Sequence, residues 1–246
     1  MRRCNLVFFC CLAISCSVQA GDSAGLTRFD AETEAVPPPW QLIQLERKVA
    51  PTRYRVTRWD GVLGVEAVAA GSMTLLARPV EIDLERTPVL CWRWRVDAPL
   101  LKADMATKAG DDYAARVYVS FALPPAEIGW ILRGKLALAR SIYGDAVPDA
   151  ALNYVWDNRY PVGTRKPNAY TDRTRMIVAE SGAVNAGRWV VARHDVRQDV
   201  IAEFGSQQAR VIQLSVASDT DNTKEIAHAG FADFHFVARD TACAFD

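Results

Sequence analysis

The sequence predicts an all-β protein: a two-sheet, jelly-roll-like β-sandwich with one inserted amphipathic helix. Three observations support this prediction. Short β-like runs follow one another with turn signals between them, and many of these runs alternate apolar and polar residues. A single long segment has helical periodicity instead. About a dozen short strands in one chain suit two packed sheets.

The β-like runs begin near Trp40 and continue almost to the C-terminus. In residues 90–97, apolar side chains alternate with polar ones, so one face of the strand is apolar and the other carries arginines. Residues 116–121 and 231–236 alternate in the same way. Trp92, Trp94 and Trp189 lie on apolar faces and are predicted to be in the core. The predicted strands are 40–45, 53–59, 62–70, 72–77, 79–84, 89–97, 114–122, 151–157, 173–180, 188–196, 209–218 and 230–238.

Residues 126–143 break the alternation. Their apolar side chains recur at three- and four-residue spacing, which is typical of an amphipathic helix. Pro124 and Pro125 precede the segment and Gly144 follows it, and these residue types favour the start and the end of a helix. A second, shorter helix is predicted near residues 198–204.

The N-terminal residues 1–20 have the pattern of a cleaved secretory signal. Two arginines come first, and the apolar run 6–14 that follows is too short to span a bilayer. The segment ends at Ala20 with residues that a signal-peptidase cleavage site accepts. We therefore expect a periplasmic or secreted protein. Lipid attachment at Cys16 is an alternative to cleavage at Ala20.

The remaining chain is predicted to comprise a flexible polar leader, residues 21–39, and a single β-sandwich domain, residues 40–246. After cleavage, Cys91 and Cys243 are the two cysteines left. They form either one disulfide or two separate buried thiols. The rest of the chain has no apolar stretch of membrane-spanning length, so we expect a protein that is not integral to the membrane.

Charge and missing motifs exclude several function classes. The 29 basic and 29 acidic side chains balance, and no basic run occurs, which argues against a nucleic-acid partner. Neither a Gly-x-Ser-x-Gly elbow nor a phosphate- or dinucleotide-binding loop is present. The three histidines lack the spacing of a zinc site, and no cofactor is expected.

Long polar side chains lie opposite the apolar faces and predict a ligand groove. Arginine matches carboxylates and sulfates bidentately, so such a strip, with net positive character, suits an acidic sugar polymer. Cross-strand Arg–Asp pairs that only solvate a sheet are the other interpretation, and both stay open. Asp111, Asp112 and Asp233 are predicted to support the arginines. The predicted groove residues are Arg93, Arg95, Arg116, Tyr118, Trp156 and His235.

The loop after the 209–218 strand is a candidate calcium site. Asp219 and Asp221 are two residues apart and Asn222 follows, a set of oxygen ligands that suits Ca²⁺. The same residue types also favour plain turns, because their side chains bond to the backbone.

Three functions remain compatible with these patterns. The first is a non-catalytic binding protein for a glycan or another polar polymer. The second is a polysaccharide lyase or hydrolase on the same scaffold. In a lyase, Tyr118, Arg116 and His235 would abstract a proton from the substrate and neutralise its charge. The third is an envelope-assembly protein that binds a protein partner through a sheet edge or through the 126–143 helix.

Five motifs occur in a fixed order along the chain. They are 88–96 (PVLCWRWRV), 110–119 (GDDYAARVYV), 152–156 (LNYVW), 176–182 (MIVAESG) and 219–223 (DTDNT). Together they resemble the exported bacterial family called domain of unknown function 3047. The resemblance implies export in Gram-negative-type bacteria and a jelly-roll sandwich similar to carbohydrate-binding modules; it implies no activity and no catalytic residue.

Overall fold

The computed structural model describes residues 26–143 and 147–245, and these residues form two packed β-sheets. This confirms the predicted two-sheet, all-β sandwich. The strands, in chain order, are β1 (Gln41–Ile43), β2 (Arg53–Trp59), β3 (Val62–Ala70), β4 (Leu75–Ile82), β5 (Val89–Val96), β6 (Tyr113–Ala122), β7 (Ala150–Asp157), β8 (Arg165–Pro167), β9 (Thr174–Ser181), β10 (Val190–Asp195), β11 (Arg210–Asp219) and β12 (Ile226–Val237).

The two sheets divide the chain in a way that sequence order does not suggest. The seven-stranded sheet has the order β1-β4-β11-β6-β7-β9-β8, and the five-stranded sheet has the order β10-β5-β12-β3-β2. Neighbouring strands are antiparallel except for β7 and β9, which run parallel. The consecutive strands β5 and β6 therefore lie in different layers.

Two α-helices join these strands. Helix α1 (Trp130–Tyr143) connects β6 to β7, as predicted, but it begins later than residue 126 because Pro125–Glu127 form a separate 3-10 turn. Helix α2 (Val196–Phe204) follows β10. The Asp195 side chain caps its first turn, and Gly205 ends it in the left-handed conformation.

Most strand boundaries agree with the alternation of the sequence to within about two residues; the exceptions are β4, β8 and the start of β12, which lies four residues before the predicted residue 230. The predicted runs 72–77 and 79–84 are one strand, β4, in which Pro79 is opposite Gln213 at an irregularity of the β4–β11 ladder. A bulge relaxes the regular pairing at that point, which suits a residue that cannot donate a backbone hydrogen bond. The three-residue strand β8 is too short to show an alternation.

The core lies between the inner faces of the two sheets. Trp92 and Trp94 are completely buried there, and Phe234 stacks parallel to the Trp92 ring at 6.2 Å. Trp189, by contrast, is only partly buried. It lies over Gly230, where a Cβ atom would come within 2.7 Å of the indole, and its Nε1 donates to the Trp59 carbonyl. The prediction that Trp189 is a core residue is therefore wrong.

Part of the segment predicted to be a flexible leader packs against the sandwich. Leu26 and Thr27 are buried, and the Leu26 amide donates to the Phe234 carbonyl at 2.8 Å. Further along, Thr33 pairs with Val56 of β2. The prediction of flexibility is therefore wrong for these residues.

The predicted signal segment 1–20 and the lipid site Cys16 lie outside the described residues. Among the residues that the structure describes, no helix has the length and hydropathy needed to cross a membrane.

Of the two alternatives for the cysteines, the structure has the disulfide. Cys91 in β5 is bonded to Cys243, with their Cα atoms 5.8 Å apart. The bond holds the segment after β12 against the outer face of the five-stranded sheet.

Candidate functional site

A cleft of about 440 Å³ lies on the outer face of the seven-stranded sheet. Its floor comes from β6 and the neighbouring strand β11. Alternate residues of β6 point to this face, while Val117 and Val119 between them fill the core. The polar residues of the floor are Arg116, Tyr118, Ser120, Gln213 and Ser215.

Two loops form the walls of the cleft. One follows β1 and contributes Leu45, Glu46 and Val49; the other lies between β8 and β9 and contributes Tyr170. The Tyr170 ring is 56% exposed, and its hydroxyl lies 3.2 Å from both the Lys108 carbonyl and the Asn222 Oδ1. The Lys108 Nζ lies over the ring, 5.1 Å from its centroid, and the ring is held at the rim with more than half of its surface exposed.

Arg116 forms a buried hydrogen-bond network at one end of the floor. Its Nη1 donates to the Tyr118 hydroxyl at 2.6 Å and lies 3.2 Å from Asp219 Oδ2. Its Nη2 donates to the Asp111 Oδ1 at 2.9 Å and to the Asp111 carbonyl at 3.0 Å. Asp111 therefore holds the guanidinium of Arg116 in place.

Burial and charge shift the protonation of this network. Burial raises the pKa of Asp219 well above its ordinary value; Arg116 opposes this shift, and the carboxylates of Asp112 and Asp111 add to it. Although burial alone lowers the pKa of Arg116, Asp219 and its neighbours hold that pKa well above the usual value. Burial also raises the pKa of Tyr118. The guanidinium thus stays charged, and the Tyr118 phenol stays protonated.

Asp112 does not contact Arg116, although the sequence predicts that it supports the arginines. Its Oδ2 accepts the backbone N–H groups of Asn222 and Thr223, at 3.0 and 2.6 Å, and its Oδ1 accepts the Asn222 side-chain amide at 3.1 Å. Asp112 therefore anchors the loop that follows β11. This loop carries Asp221, whose pKa is raised by burial and by Asp112.

The predicted calcium ligands Asp219 and Asp221 lie in this same corner. One carboxylate oxygen from each of them and one from Asp112 lie within 4.8 Å of one another. The oxygens of Asp112 and Asp219 already accept hydrogen bonds, including the Tyr113 backbone N–H at 3.1 Å from Asp219. These bonds account for the clustering as a loop anchor, and a metal ion here stays a prediction.

Four of the predicted residues lie on the other sheet, and three of them are close to the C-terminal segment. Arg93 pairs with Asp233 across β5 and β12, and the Phe245 ring lies 5.5 Å from the guanidinium. His235 is buried against the same C-terminal segment, and its Nε2 accepts the Ala244 N–H at 3.3 Å. The disulfide-bound tail covers these side chains, so they do not line a groove with Arg116.

Arg95 is also on the outer face of the five-stranded sheet, away from the cleft. It pairs with Asp60, donates to the Gly187 carbonyl at 3.1 Å and lies 3.7 Å above the Trp59 ring. These contacts leave its side chain buried. The continuous strip predicted across both sets of arginines does not form, because the strands belong to opposite layers.

Trp156 was the predicted aromatic residue of the groove, and that prediction is wrong. The indole is buried between the sheets, 5.6 Å from the Trp94 ring, and its Nε1 donates to the Gly182 carbonyl at 3.0 Å. Trp156 is a core residue.

The residues proposed for a lyase do not come together. Arg116 and Tyr118 are neighbours in β6, whereas His235 lies on the outer face of the opposite sheet. Proton transfer needs the acid or base within hydrogen-bond reach of the reacting group, or one water away. This trio therefore has no common site.

Sequence reasoning missed most of the residues that line the cleft, including three polar residues of its floor and Tyr170 at its rim. The floor residues are Gln213 and Ser215, which interrupt the apolar run of β11, and Ser120 in β6. The polar alternation that marks β6 continues in β11, so this signal could have identified them. Nothing in the local pattern marks Tyr170, because a loop places it over strands that are distant in sequence.

The electrostatic character of the cleft also differs from the predicted positive strip. Within the described part of the chain, the charged residues of its lining are one cation, Arg116, and four carboxylates. Asp111 and Asp219 neutralise the cation within the protein. The carboxylates are Glu46, Asp111, Asp219 and Asp221.

Comparison with known proteins identifies the family. The family model described as a protein of unknown function, DUF3047, matches residues 38–235, and the chain belongs to that family. No curated protein matches the chain.

Proposed function

We propose that this member of the family binds a neutral or amine-bearing glycan in the cleft of the seven-stranded sheet, without covalent chemistry. The observation that carries the proposal is the polar floor of the cleft, in which hydroxyl and amide groups project from adjacent strands. Ser120, Ser215 and Gln213 offer both donors and acceptors. The hydroxyl groups of a sugar ring also need both hydrogen-bond donors and hydrogen-bond acceptors.

The rim of the cleft supports the same ligand class. Tyr170 is more than half exposed at the entrance, and an aromatic ring can pack against the apolar face of a sugar while its hydroxyl keeps a polar partner. Apolar side chains of Leu75 and Met73 complete the lining. A volume of about 440 Å³ is within the range of small-molecule sites, which are mostly apolar walls with a few placed polar groups.

The carboxylates of the cleft lining favour a neutral or amine-bearing glycan over an acidic one. An acidic polymer would bring further carboxylates or sulfates next to Glu46 and Asp221, and like charges at a binding surface cost affinity. Arg116 does not offset this cost, since Asp111, Asp219 and the Tyr118 hydroxyl already occupy its two terminal nitrogens. A neutral or amine-bearing sugar avoids the repulsion.

A calorimetric and thermal-shift panel tests the proposal. The ligands are neutral, amino and uronic oligosaccharides, measured against the parent and the variants Ser120→Ala and Tyr170→Ala. At one hundred times its dissociation constant, a true ligand adds about 2.7 kcal/mol of stability. In a domain of this size, such a gain raises the melting temperature by roughly 5–11 °C.

The variants locate the site. Losing one neutral hydrogen bond at Ser120 is expected to weaken binding by roughly fivefold, and losing the ring at Tyr170 by a similar or larger factor. Val191→Ala is the matched control, because Val191 is exposed on β10 in the other sheet. A panel with no shift, or a shift with acidic sugars alone, contradicts the proposal. Equal loss in the control variant would place the ligand elsewhere.

A further inference from the structure

Among the residues that the structure describes, helix α1 packs against the sandwich on one side only. Its inward face packs Leu136 into the core, together with the partly buried Leu132. Arg140 fixes the helix to the sandwich by donating to the Val147 carbonyl at 3.0 Å and to Asp149 Oδ1 at 2.9 Å. The helix is therefore held in place by its inner side, and the described part of the chain leaves its outer side exposed.

The outer side of α1 is apolar, which is unusual for a face that meets water. Trp130, Ile131 and Leu138 are 78%, 57% and 63% exposed. With 3.6 residues per turn, these three side chains fall on one side of the helix, around the small residues Gly134 and Ala137. Large exposed apolar side chains that are grouped in this way mark an interaction surface.

Cations flank this apolar face on both sides. Counting 100° per residue, Lys135 borders it next to Ile131, and Arg133 borders it on the opposite edge. Both side chains are exposed. The segment Trp130–Tyr143 contains three basic residues and no acidic one. An apolar face between cationic borders, with a tryptophan at the end, is the pattern of helices that lie in the interface of a bilayer.

We propose that the outer face of α1, formed by Trp130, Ile131 and Leu138 with Arg133 and Lys135, docks the protein on an anionic lipid surface. The apolar side chains enter the region between headgroups and acyl chains, and the two cations bind lipid phosphates. The helix lies flat on the bilayer rather than crossing it.

Charge favours lipid over a second copy of the chain as the occupant. If two α1 helices paired through their outer faces, the Arg133 and Lys135 side chains of both copies would border the same contact. Like charges placed together at an interface cost several kcal/mol, whereas anionic headgroups neutralise the same cations.

Vesicle sedimentation tests the proposal. The full chain is expressed in a host that can export it, and the purified protein is used. Mass spectrometry establishes the N-terminus, so that parent and variants share the same N-terminal residues. The vesicles are phosphatidylcholine alone, or phosphatidylcholine with about one-third phosphatidylglycerol. Each cation near an anionic surface contributes about fivefold to binding at low salt. We expect binding to the anionic vesicles that weakens as salt is added.

Two variants and two matched controls assign the effect to α1. Lys135→Glu is expected to weaken binding by roughly tenfold or more, and Leu138→Gln by several-fold. Leu101→Gln replaces an even more exposed leucine in a loop, and Arg53→Glu reverses an exposed charge on β2; both should leave binding unchanged. Because all four side chains are exposed, thermal midpoints close to the parent value are expected.

Three outcomes would overturn the proposal. They are no binding to either vesicle, equal binding to neutral and anionic vesicles, and equal weakening in the control variants. Analytical ultracentrifugation tests the alternative occupant, a second copy of the chain. If the protein does not bind vesicles but forms a dimer that Leu138→Gln dissociates, this face is an interface between two copies.

Discussion

Replacing Arg116 with methionine removes the cation from the buried network below the cleft and keeps most of the side-chain volume. The guanidinium is almost completely buried, as are its partners Asp111 and Asp219. Removing one member of a buried, hydrogen-bonded ion pair costs about 3–5 kcal/mol, because the other charge is left desolvated and unpaired. For a domain of this size, that loss lowers the melting temperature by roughly 6–20 °C.

The pH dependence of the loss follows from Asp219. Arg116 lowers the pKa of this carboxyl, which burial has already raised, so Arg116→Met raises the folded-state pKa further. A group whose folded pKa lies above its unfolded value contributes stability that is complete below the unfolded pKa and is lost as pH rises through the folded pKa. The deficit of the variant should therefore be larger at about pH 8 than at about pH 5.

Urea denaturation followed by circular dichroism, at these two pH values, measures both effects. Arg53→Met is the matched control, since it removes an exposed arginine from β2 and should change stability by less than about 0.5 kcal/mol. The double variant Arg116→Met, Asp219→Asn should recover part of the loss, because one uncompensated carboxylate is gone. A loss below about 1 kcal/mol in Arg116→Met, or a deficit that grows as pH falls, would refute this reasoning.

Two further predictions concern the core and the disulfide. Trp156→Ala should lower the free energy of unfolding by about 3–5 kcal/mol in urea titrations, since it empties a buried indole site; unchanged stability with lost glycan binding would instead return Trp156 to the ligand site. Cys243→Ser should lower it by about 2–4 kcal/mol, because the bond to Cys91 closes a long chain segment, and a variant as stable as the oxidised parent would contradict this.

The alternation of residues predicts many of the side chains that face inward. It assigns Trp92 and Trp94 to an apolar face, and both are buried in the core, whereas Trp189, assigned in the same way, is only partly buried. The bounds of β2 and β3 also agree with the prediction. These features depend on the pleat of a single strand, so a local pattern contains the necessary information.

The sheet to which a strand belongs could not be predicted in this way. Strands β5 and β6 are consecutive in the chain, yet β5 pairs with β10 and β12, while β6 pairs with β7 and β11. Pairing between distant strands is not encoded in the alternation of either one. For this reason the arginines of the two strands were assigned to one groove, although they point away from each other on opposite surfaces.

Trp156 shows a second limit of the alternation. Every residue of β7 is buried, so other parts of the protein cover both faces of this strand. In such a strand polarity no longer distinguishes inside from outside, and a tryptophan next to polar residues resembles a binding residue. The inner position of Trp156 follows from its contact with Trp94 across the core, which is a long-range contact.

Both outer faces of the sandwich carry a buried arginine, but the two arginines have different surroundings. On the five-stranded sheet, Arg95 lies over the Trp59 ring, away from the cleft. On the seven-stranded sheet, Arg116 and Asp219 are withdrawn from water beneath the cleft, and Arg116 donates to the Tyr118 hydroxyl on the cleft floor. Burying charges is costly and is not needed to solvate a strand, so a network that fixes the cleft floor in one geometry supports the proposed ligand site.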